Sequence, residues 1–166
     1  MPDFFVQYVI RKELFCKGKA DHLKGQHNLE LLGKILVVFE ELQCFGDKEW
    51  KAIDSEIKDL ITDSTAPYTD KYERRFCADN NNNYIVNTNF NAIKGANGRR
   101  YLVCDINPCK MNDLKYFDHL RKTCFNDEVG HAFFCYLYEI DTTKFQSMDM
   151  PATSAKRIYA RNYCNP

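Results

Sequence analysis

The chain has 166 residues, of which 45% are hydrophobic, and its formal net charge is +0 at pH 7. This length and composition favour one globular domain with its own apolar core, and they exclude a disordered or fibrous protein. The balanced charge excludes a surface-wide field that would attract nucleic acid or an anionic membrane. Any contact with nucleic acid must therefore come from local basic patches.

The eight cysteines follow none of the patterns of metal sites, because neither a CxxC nor a paired Cys/His spacing occurs. No secretory leader precedes them, so we expect reduced thiols in an intracellular protein. Cys104 and Cys135 lie in apolar stretches, where we expect cysteine to act as a small core residue. No apolar run approaches the roughly 20 residues that span a bilayer, so no membrane partner is expected.

The first predicted element in chain order is a helix over 3–15, because apolar residues such as Val6, Val9 and Ile10 recur there at spacings of three and four. The next segment, 16–33, carries three glycines together with histidines and charges. This composition suits an irregular connection or a strand pair, and no element is assigned to it.

Residues 35–39 are apolar without interruption and are followed directly by Glu40 and Glu41. A strand with one exposed face alternates apolar and polar residues, whereas a strand covered on both faces is apolar throughout. We therefore predict a buried parallel strand that brings both carboxylates to the carboxyl edge of a sheet, where open α/β sheets bind ligands. The alternative is that Glu40 and Glu41 only begin a solvated loop.

Two predicted elements follow this strand. Residues 47–62 have the apolar spacing of an amphipathic helix. The segment 65–78 mixes a proline and two tyrosines with Lys71, Arg74 and Arg75, and an asparagine-rich loop comes after it. This composition favours a basic, aromatic hairpin.

The remainder of the chain predicts two short strands and then helices. The strands are Tyr84–Val86, which ends in Asn87-Thr88-Asn89, and Tyr101–Cys104, which ends in Asp105. Two amphipathic helices should follow, one capped by Asn112 or Asp113 and one capped by Asn126. A short polar helix over 153–163 is predicted at the end. Three strands would thus end in polar residues at one shared edge.

The order of these motifs resembles the ATPase of superfamily 3 helicases, a subgroup of the AAA+ proteins. The similarity is greatest to the helicase part of primase-helicases of large DNA viruses and of a phage-type primase-polymerase, including virus-like copies in eukaryotic genomes. It extends from Phe5 to about Pro151, and its most specific segments are 32–42, 83–89, 98–101 and 125–133.

The resemblance implies an α/β fold, a partial P-loop NTPase-like parallel sheet with flanking helices and a C-terminal helical segment. The truncated AAA+ core would cover 1–110, and 111–166 would form the helical part of the same domain. The implied cofactors are ATP and Mg²⁺. In this family Glu40 and Glu41 match the Walker B acids, with Glu40 as the Mg²⁺ ligand and Glu41 as the catalytic base. Asn89 matches the sensor of the terminal phosphate, with Asn87 as the alternative holder of that role.

Arg99 or Arg100 matches the arginine finger of the family. Both arginines precede the predicted strand Tyr101–Cys104, which would be about 17 Å long at about 3.3 Å per residue, so they would lie far from the carboxyl-edge site of their own subunit. They would act on a neighbouring subunit of a homo-oligomeric ring, a hexamer in the complete protein. The alternative is two surface charges in a Gly-rich turn.

Lys71, Arg74 and Arg75 match the hairpin that related helicases place in the central channel to bind single-stranded DNA. Tyr68 and Tyr72 lie between or beside these cations and could stack bases. Ordinary solvated loop charges are the alternative interpretation of the three cations.

The sequence departs from the family at the phosphate loop. ATP binding needs a Gly-rich loop closed by Gly-Lys-Ser/Thr, and Gly33-Lys34 lacks both the hydroxyl residue and a following helix. No primase or polymerase module is present either. We therefore expect the carboxyl-side fragment of an ATP-dependent DNA helicase of primase-helicase type, acting in DNA replication and nearly inactive alone.

Two other functions remain open from the sequence. One is a non-catalytic element of viral or mobile-element origin, decayed or repurposed, that binds DNA or a protein. The other is a metal-dependent nuclease that would use Glu40, Glu41 and Asp105, although two-metal sites usually need more converging carboxylates.

Overall fold

A three-stranded parallel sheet organises the computed structural model, which describes residues 2–24, 27–40, 47–88, 100–146 and 149–158. The strand order is β1-β2-β5, and the three strands are Phe15–Gly18, Leu36–Glu40 and Asn83–Asn87. Between β2 and β5 in sequence lie a helix and a separate antiparallel hairpin, formed by β3 (Thr65–Tyr68) and β4 (Phe76–Asp79). The predicted α/β class and the predicted hairpin are confirmed.

The central strand β2 is covered on both faces, as its apolar run predicts. Val37, Val38 and Phe39 are 0%, 1% and 1% exposed, although successive side chains on a strand point to opposite faces. β2 pairs in parallel with β1 on one side and with β5 on the other. Its carboxyl end therefore lies between two neighbouring strands that run in the same direction.

The predicted continuous helix over 3–15 is wrong, because it is interrupted after Val9 and only Lys12–Leu14 beyond it is helical, as a 3₁₀ turn. A short α1 (Pro2–Phe4) continues as a π-helical turn (Phe5–Val9), and the chain is extended at Ile10. The physical reason is the sheet, because the Ile35 N–H donates to the Leu14 carbonyl over 2.8 Å and β1 then pairs with β2. These bonds to a distant strand replace helix formation.

Gly18, the last residue of β1, allows that strand to approach β2. A Cβ atom at this position would lie 2.4 Å from two ring carbons of Phe39, closer than any real side chain tolerates. The buried Phe39 ring therefore occupies the space that a side chain at position 18 would need.

Helix α2 (Asp47–Thr62) has the bounds that the apolar spacing predicts. Its buried side chains Ile53, Ile57 and Leu60 recur at spacings of three and four and belong to the same core cluster as Val37 and Phe39 of β2. This helix therefore supplies the apolar layer on that face of the sheet.

The strand predicted for Tyr101–Cys104 is wrong, because this segment is irregular. Its carbonyl groups bond to side chains instead of to a strand: the Tyr101 oxygen accepts from Lys156 Nζ over 2.9 Å, and the Val103 oxygen accepts from the Thr153 hydroxyl. Cys104 is consequently exposed and not a core residue.

Two further helices, α3 (Leu114–Cys124) and α4 (Asp127–Glu139), confirm the predictions for this part of the chain. Asp113 and Asn126 cap them, accepting from backbone N–H groups three residues ahead. The final predicted helix, 153–163, is helical over 154–158, begins one residue later than predicted, and lies outside the described residues from 159 onward. In the described ranges, no helix has the length and apolar character needed to cross a membrane.

Helix α4 packs against the π-helical turn through Gly130. A Cβ atom there would lie 2.3 Å from the backbone oxygen of Tyr8. Aromatic rings surround this contact, with ring centroids 5.4 to 6.2 Å apart; they belong to Phe4, Phe5, Tyr8, Phe125 and Phe133. Cys135 of the same helix is half-buried, whereas Cys16 of β1 is a buried thiol of the core.

Candidate functional site

Glu40 and Asn87 meet at the carboxyl edge of the sheet. Each is the last residue of its strand, and the parallel register of β2 and β5 makes them direct partners. Neighbouring strands lie about 4.8 Å apart, and partner residues project to the same face. Both residues are exposed. Two of the predicted site residues are thus brought together, whereas Glu41 and Asn89 lie outside the described residues.

Lys17 of β1 belongs to the same edge and was not identified from the sequence. Its Nζ forms an ion pair with Glu40 Oε2, and the two side chains are 69% and 40% exposed. Lys17 is 23 positions from Glu40 in sequence. The sequence could have indicated its place at this edge only if Phe15–Gly18 had been recognised as a parallel strand beside β2. The edge therefore combines a carboxylate, an amide and an ammonium group.

The chemistry of this edge suits a Mg²⁺ ion that arrives with a phosphate ligand. Carboxylate and amide oxygens are hard ligands, and Mg²⁺ is commonly held by only one or two carboxylates together with substrate phosphates. Within the described ranges, no group of three or more His, Cys, Asp or Glu side chains could hold a metal ion. Asp105, which the nuclease interpretation requires, lies exposed after the irregular segment 101–104. The described residues therefore do not form a metal site in which protein side chains supply all the ligands.

The basic residues of the hairpin lie in the loop between β3 and β4. Lys71, Arg74 and Arg75 are all exposed, and Tyr72 between them is 94% exposed. Tyr72 has a φ of 71°, which is uncommon for a bulky residue, and Lys71 Nζ lies 5.2 Å from the centroid of its ring. The loop therefore presents cations and one aromatic ring together to the solvent.

Tyr68 does not share this position. It is 1% exposed and belongs to the core, where burial raises the pKa of its hydroxyl. The prediction that Tyr68 could stack bases is wrong, because as the last residue of β3 it points into the apolar layer.

Asn28 holds the base of this hairpin. It is 1% exposed, its Nδ2 donates to the Pro67 carbonyl over 2.8 Å, and its Oδ1 accepts from the Thr69 N–H over 2.9 Å. Nearby, both carboxylate oxygens of Glu30 accept from Lys19 Nζ, over 2.8 and 3.0 Å. This hydrogen-bonded ion pair lowers the pKa of Glu30 and raises that of Lys19.

Arg100 lines a cavity of 360 Å³ along β5, which reaches from Asn83 at the start of that strand to Val86 near its end. Its Nε is buried and has no hydrogen-bond partner among the described residues. Arg99 lies outside those residues. Among the described residues, the ion-pair partner of Glu40 is Lys17 and not Arg100.

Comparison with known proteins yields one family and several solved structures. A family described as a family of unknown function (DUF5906) matches residues 4–100. No curated protein matches the sequence. Two apo structures of the NrS-1 C-terminal region are similar at 20% identity, with TM-scores of 0.72 and 0.71, over 93% of this chain.

The chain spans 37% of each of these NrS-1 chains, a little over a third of their length. At this level of identity the likeness concerns the fold alone. It agrees with the predicted α/β class, a parallel sheet with flanking helices.

Proposed function

Because the chain belongs to the DUF5906 family, whose function is unknown, we propose its function from the paired strand ends and the basic hairpin. We propose that it carries the Walker B side and the DNA-contacting hairpin of an ATP-dependent DNA helicase of primase-helicase type, which acts in DNA replication. The observation that carries the proposal is the register that pairs Glu40 with Asn87 at the carboxyl edge of a parallel sheet.

The residues at this edge have distinct proposed roles. Glu40 holds the cation, Glu41 orients and deprotonates the attacking water, and Asn89 or Asn87 donates a hydrogen bond to the terminal phosphate. Mg²⁺ bound with ATP supplies the charge that neutralises the transferring phosphoryl group. Until a cation binds, Lys17 neutralises the Glu40 carboxylate through their ion pair.

The arginine finger of the proposal is Arg99 or Arg100, acting on the neighbouring subunit of a homo-oligomeric ring, a hexamer. Its support is the resemblance of the segment 98–101 to the helicase family, together with the ion pair of Glu40, which is made with Lys17 and not with Arg100 of the same chain. An arginine supplied by a second subunit would make ATP hydrolysis depend on ring closure.

Single-stranded DNA is the proposed nucleic-acid partner of the hairpin. Three exposed cations and one exposed ring in a single loop match the way proteins bind single strands, with cations along the phosphates and an aromatic face for a base. The zero net charge makes this local cluster the source of the attraction.

The sequence contains no Gly-Lys-Ser/Thr loop, so we expect negligible ATP turnover by the 166-residue chain. Binding of the metal can still be tested. Mn²⁺, used as a spectroscopic substitute for Mg²⁺, should bind without ATP, with water in place of the phosphate oxygens, and Glu40→Gln should remove this binding. Glu139→Gln, the same charge change at the exposed end of α4, should leave it intact.

If both variants bind Mn²⁺ as the unmodified chain does, the proposed site at the strand ends is wrong. ATP turnover by the purified chain that Glu41→Gln abolishes would contradict the expected inactivity while supporting the role of Glu41.

A non-catalytic element that binds DNA or a protein is the second candidate. The ion pair between Lys17 and Glu40 favours it, since the carboxylate already has a cationic partner within the chain. Single-strand binding that neither ATP nor Glu40→Gln changes would support this candidate over the helicase fragment.

A further inference from the structure

We propose that Asn28 is a positioning residue that sets the orientation of the hairpin loop, an inference that rests on the proposed DNA-binding role of that loop. Asn28 lies outside the hairpin in sequence, 39 and 41 positions from the residues it bonds. Its side chain is nevertheless fully buried against the hairpin backbone. A buried amide with both ends satisfied is costly to replace, because each lost bond leaves a backbone group without a partner.

The two hydrogen bonds of the Asn28 side chain are placed where they can orient the hairpin loop. Pro67 and Thr69 flank Tyr68, the last residue of β3, and on its other edge β3 is paired with β4. The planar amide of Asn28 presents one donor and one acceptor, as a peptide group of a neighbouring strand would. It is joined by the Leu29 N–H, which donates to the Thr69 carbonyl over 3.3 Å.

These three bonds hold the backbone where it leaves the strand and enters the basic loop. Lys71 follows Thr69 by two residues, and the loop itself is stabilised by Asp70, whose Oδ1 accepts from the Lys71 N–H over 2.7 Å. The cations of the loop are exposed, and none of them forms an ion pair with another described residue. The direction in which the loop projects therefore depends on the clamp formed by Asn28.

The segment that carries Asn28 is itself tied to the sheet. Leu31 is 0% exposed in the core, and Glu30 binds Lys19, the residue directly after β1. His22, 2% exposed, accepts from the Lys19 N–H through Nδ1. Residues 28–31 thus connect the hairpin base to the strand that supplies Lys17 to the Glu40 edge.

Single-stranded DNA affinity of the full 166-residue chain tests the inference, with fluorescence anisotropy of a labelled oligothymidine as the measurement. Asn28→Ala removes both side-chain bonds and should weaken binding about tenfold per folded molecule. The matched control is Asn126→Ala. It removes the hydrogen bond that the Asn126 side chain accepts from the Val129 N–H at the start of α4, and it should not change affinity.

A second variant separates positioning from general damage to the fold. Asn28→Asp keeps the acceptor for Thr69 but turns the donor for Pro67 into a second acceptor, so binding should be weak at pH 8. Burial at this 1% exposed site, opposite the Pro67 carbonyl, raises the pKa of the introduced carboxyl group. Protonation then restores a donor, and the ratio of variant to unmodified affinity should recover at pH 5.5. His22, Glu30 and Asp70 also lie near this site, but they are present in both proteins, so their effect on affinity is common to both terms of the ratio.

Each outcome decides the inference. Equal loss of affinity in Asn28→Ala and Asn126→Ala, or no recovery of Asn28→Asp at pH 5.5, would overturn it. If the unmodified chain binds no DNA, the proposed function fails. Hydrogen exchange can then still test whether Asn28 holds the hairpin backbone. The Thr69 amide should exchange faster in Asn28→Ala than in the unmodified chain, and unchanged exchange would overturn the inference even if DNA binds.

Discussion

Neutralising the three hairpin cations should remove most of the salt dependence of single-strand binding. The change is Lys71→Gln, Arg74→Gln and Arg75→Gln in one variant. All three side chains are exposed, and none forms an ion pair with another described residue, so all are free to contact phosphates. Each phosphate contact contributes about 0.7 to the slope of log affinity against log salt for single strands.

Three contacts therefore predict a slope of about −2, which corresponds to a roughly 20-fold loss of affinity between about 50 and 200 mM salt. The triple variant should bind weakly and with a slope closer to zero by about 2. The assay is anisotropy of a labelled oligothymidine over that range of salt concentrations.

A second triple variant controls for net charge. Lys115→Gln, Arg121→Gln and Lys122→Gln make the same change of charge on α3, which is a different element of the fold. An equal fall in slope for both triple variants would refute the reasoning, since it would mean that net charge and not the hairpin attracts the DNA. A hairpin variant that keeps the original slope would refute it as well.

Three further results are expected. Gly130→Ala should lower the free energy of unfolding by about 1–3 kcal/mol in denaturant titrations. The clash with the Tyr8 backbone outweighs the gain in helix propensity, which is about 1 kcal/mol. A more stable variant would contradict the close packing. Burial lowers the pKa of His22, so the unfolded chain binds more protons and stability should fall as pH drops below about 6.5, by at most about 1.4 kcal/mol per pH unit. His22→Gln should flatten that pH profile in denaturation experiments, and an unchanged profile would assign the slope to other groups. Lys17→Met should strengthen Mn²⁺ binding, because Glu40 loses its competing cation, and weaker binding would contradict that competition.

Local patterns were sufficient for the elements whose stability is mostly local or whose burial is complete. The bounds of α2 and the caps Asp113 and Asn126 follow from helix periodicity and side-chain capping, which involve neighbours within a few positions. The run that ends at Glu40 indicates β2 because only burial on both faces removes the alternation.

The errors occur where distant partners decide the conformation. β1 has four residues, including Lys17 and Gly18, and no pattern of its own; pairing with β2 makes it a strand. The opposite error is Tyr101–Cys104, which has a strand-like composition but bonds to Lys156 and Thr153 instead of to a strand. β-propensity is a weak guide when no partner strand is present.

The sequence alone predicts that Glu40 and Asn87 lie at one edge. Each follows an apolar run that forms a strand, and parallel strands end on the same side of a sheet. The sequence is also enough to indicate a basic hairpin. The contribution of Lys17 to that edge, the buried position of Tyr68 and the clamp of Asn28 on the hairpin depend on contacts between residues far apart in sequence. Such contacts form only when the folded chain brings their backbones together, and no local periodicity records them.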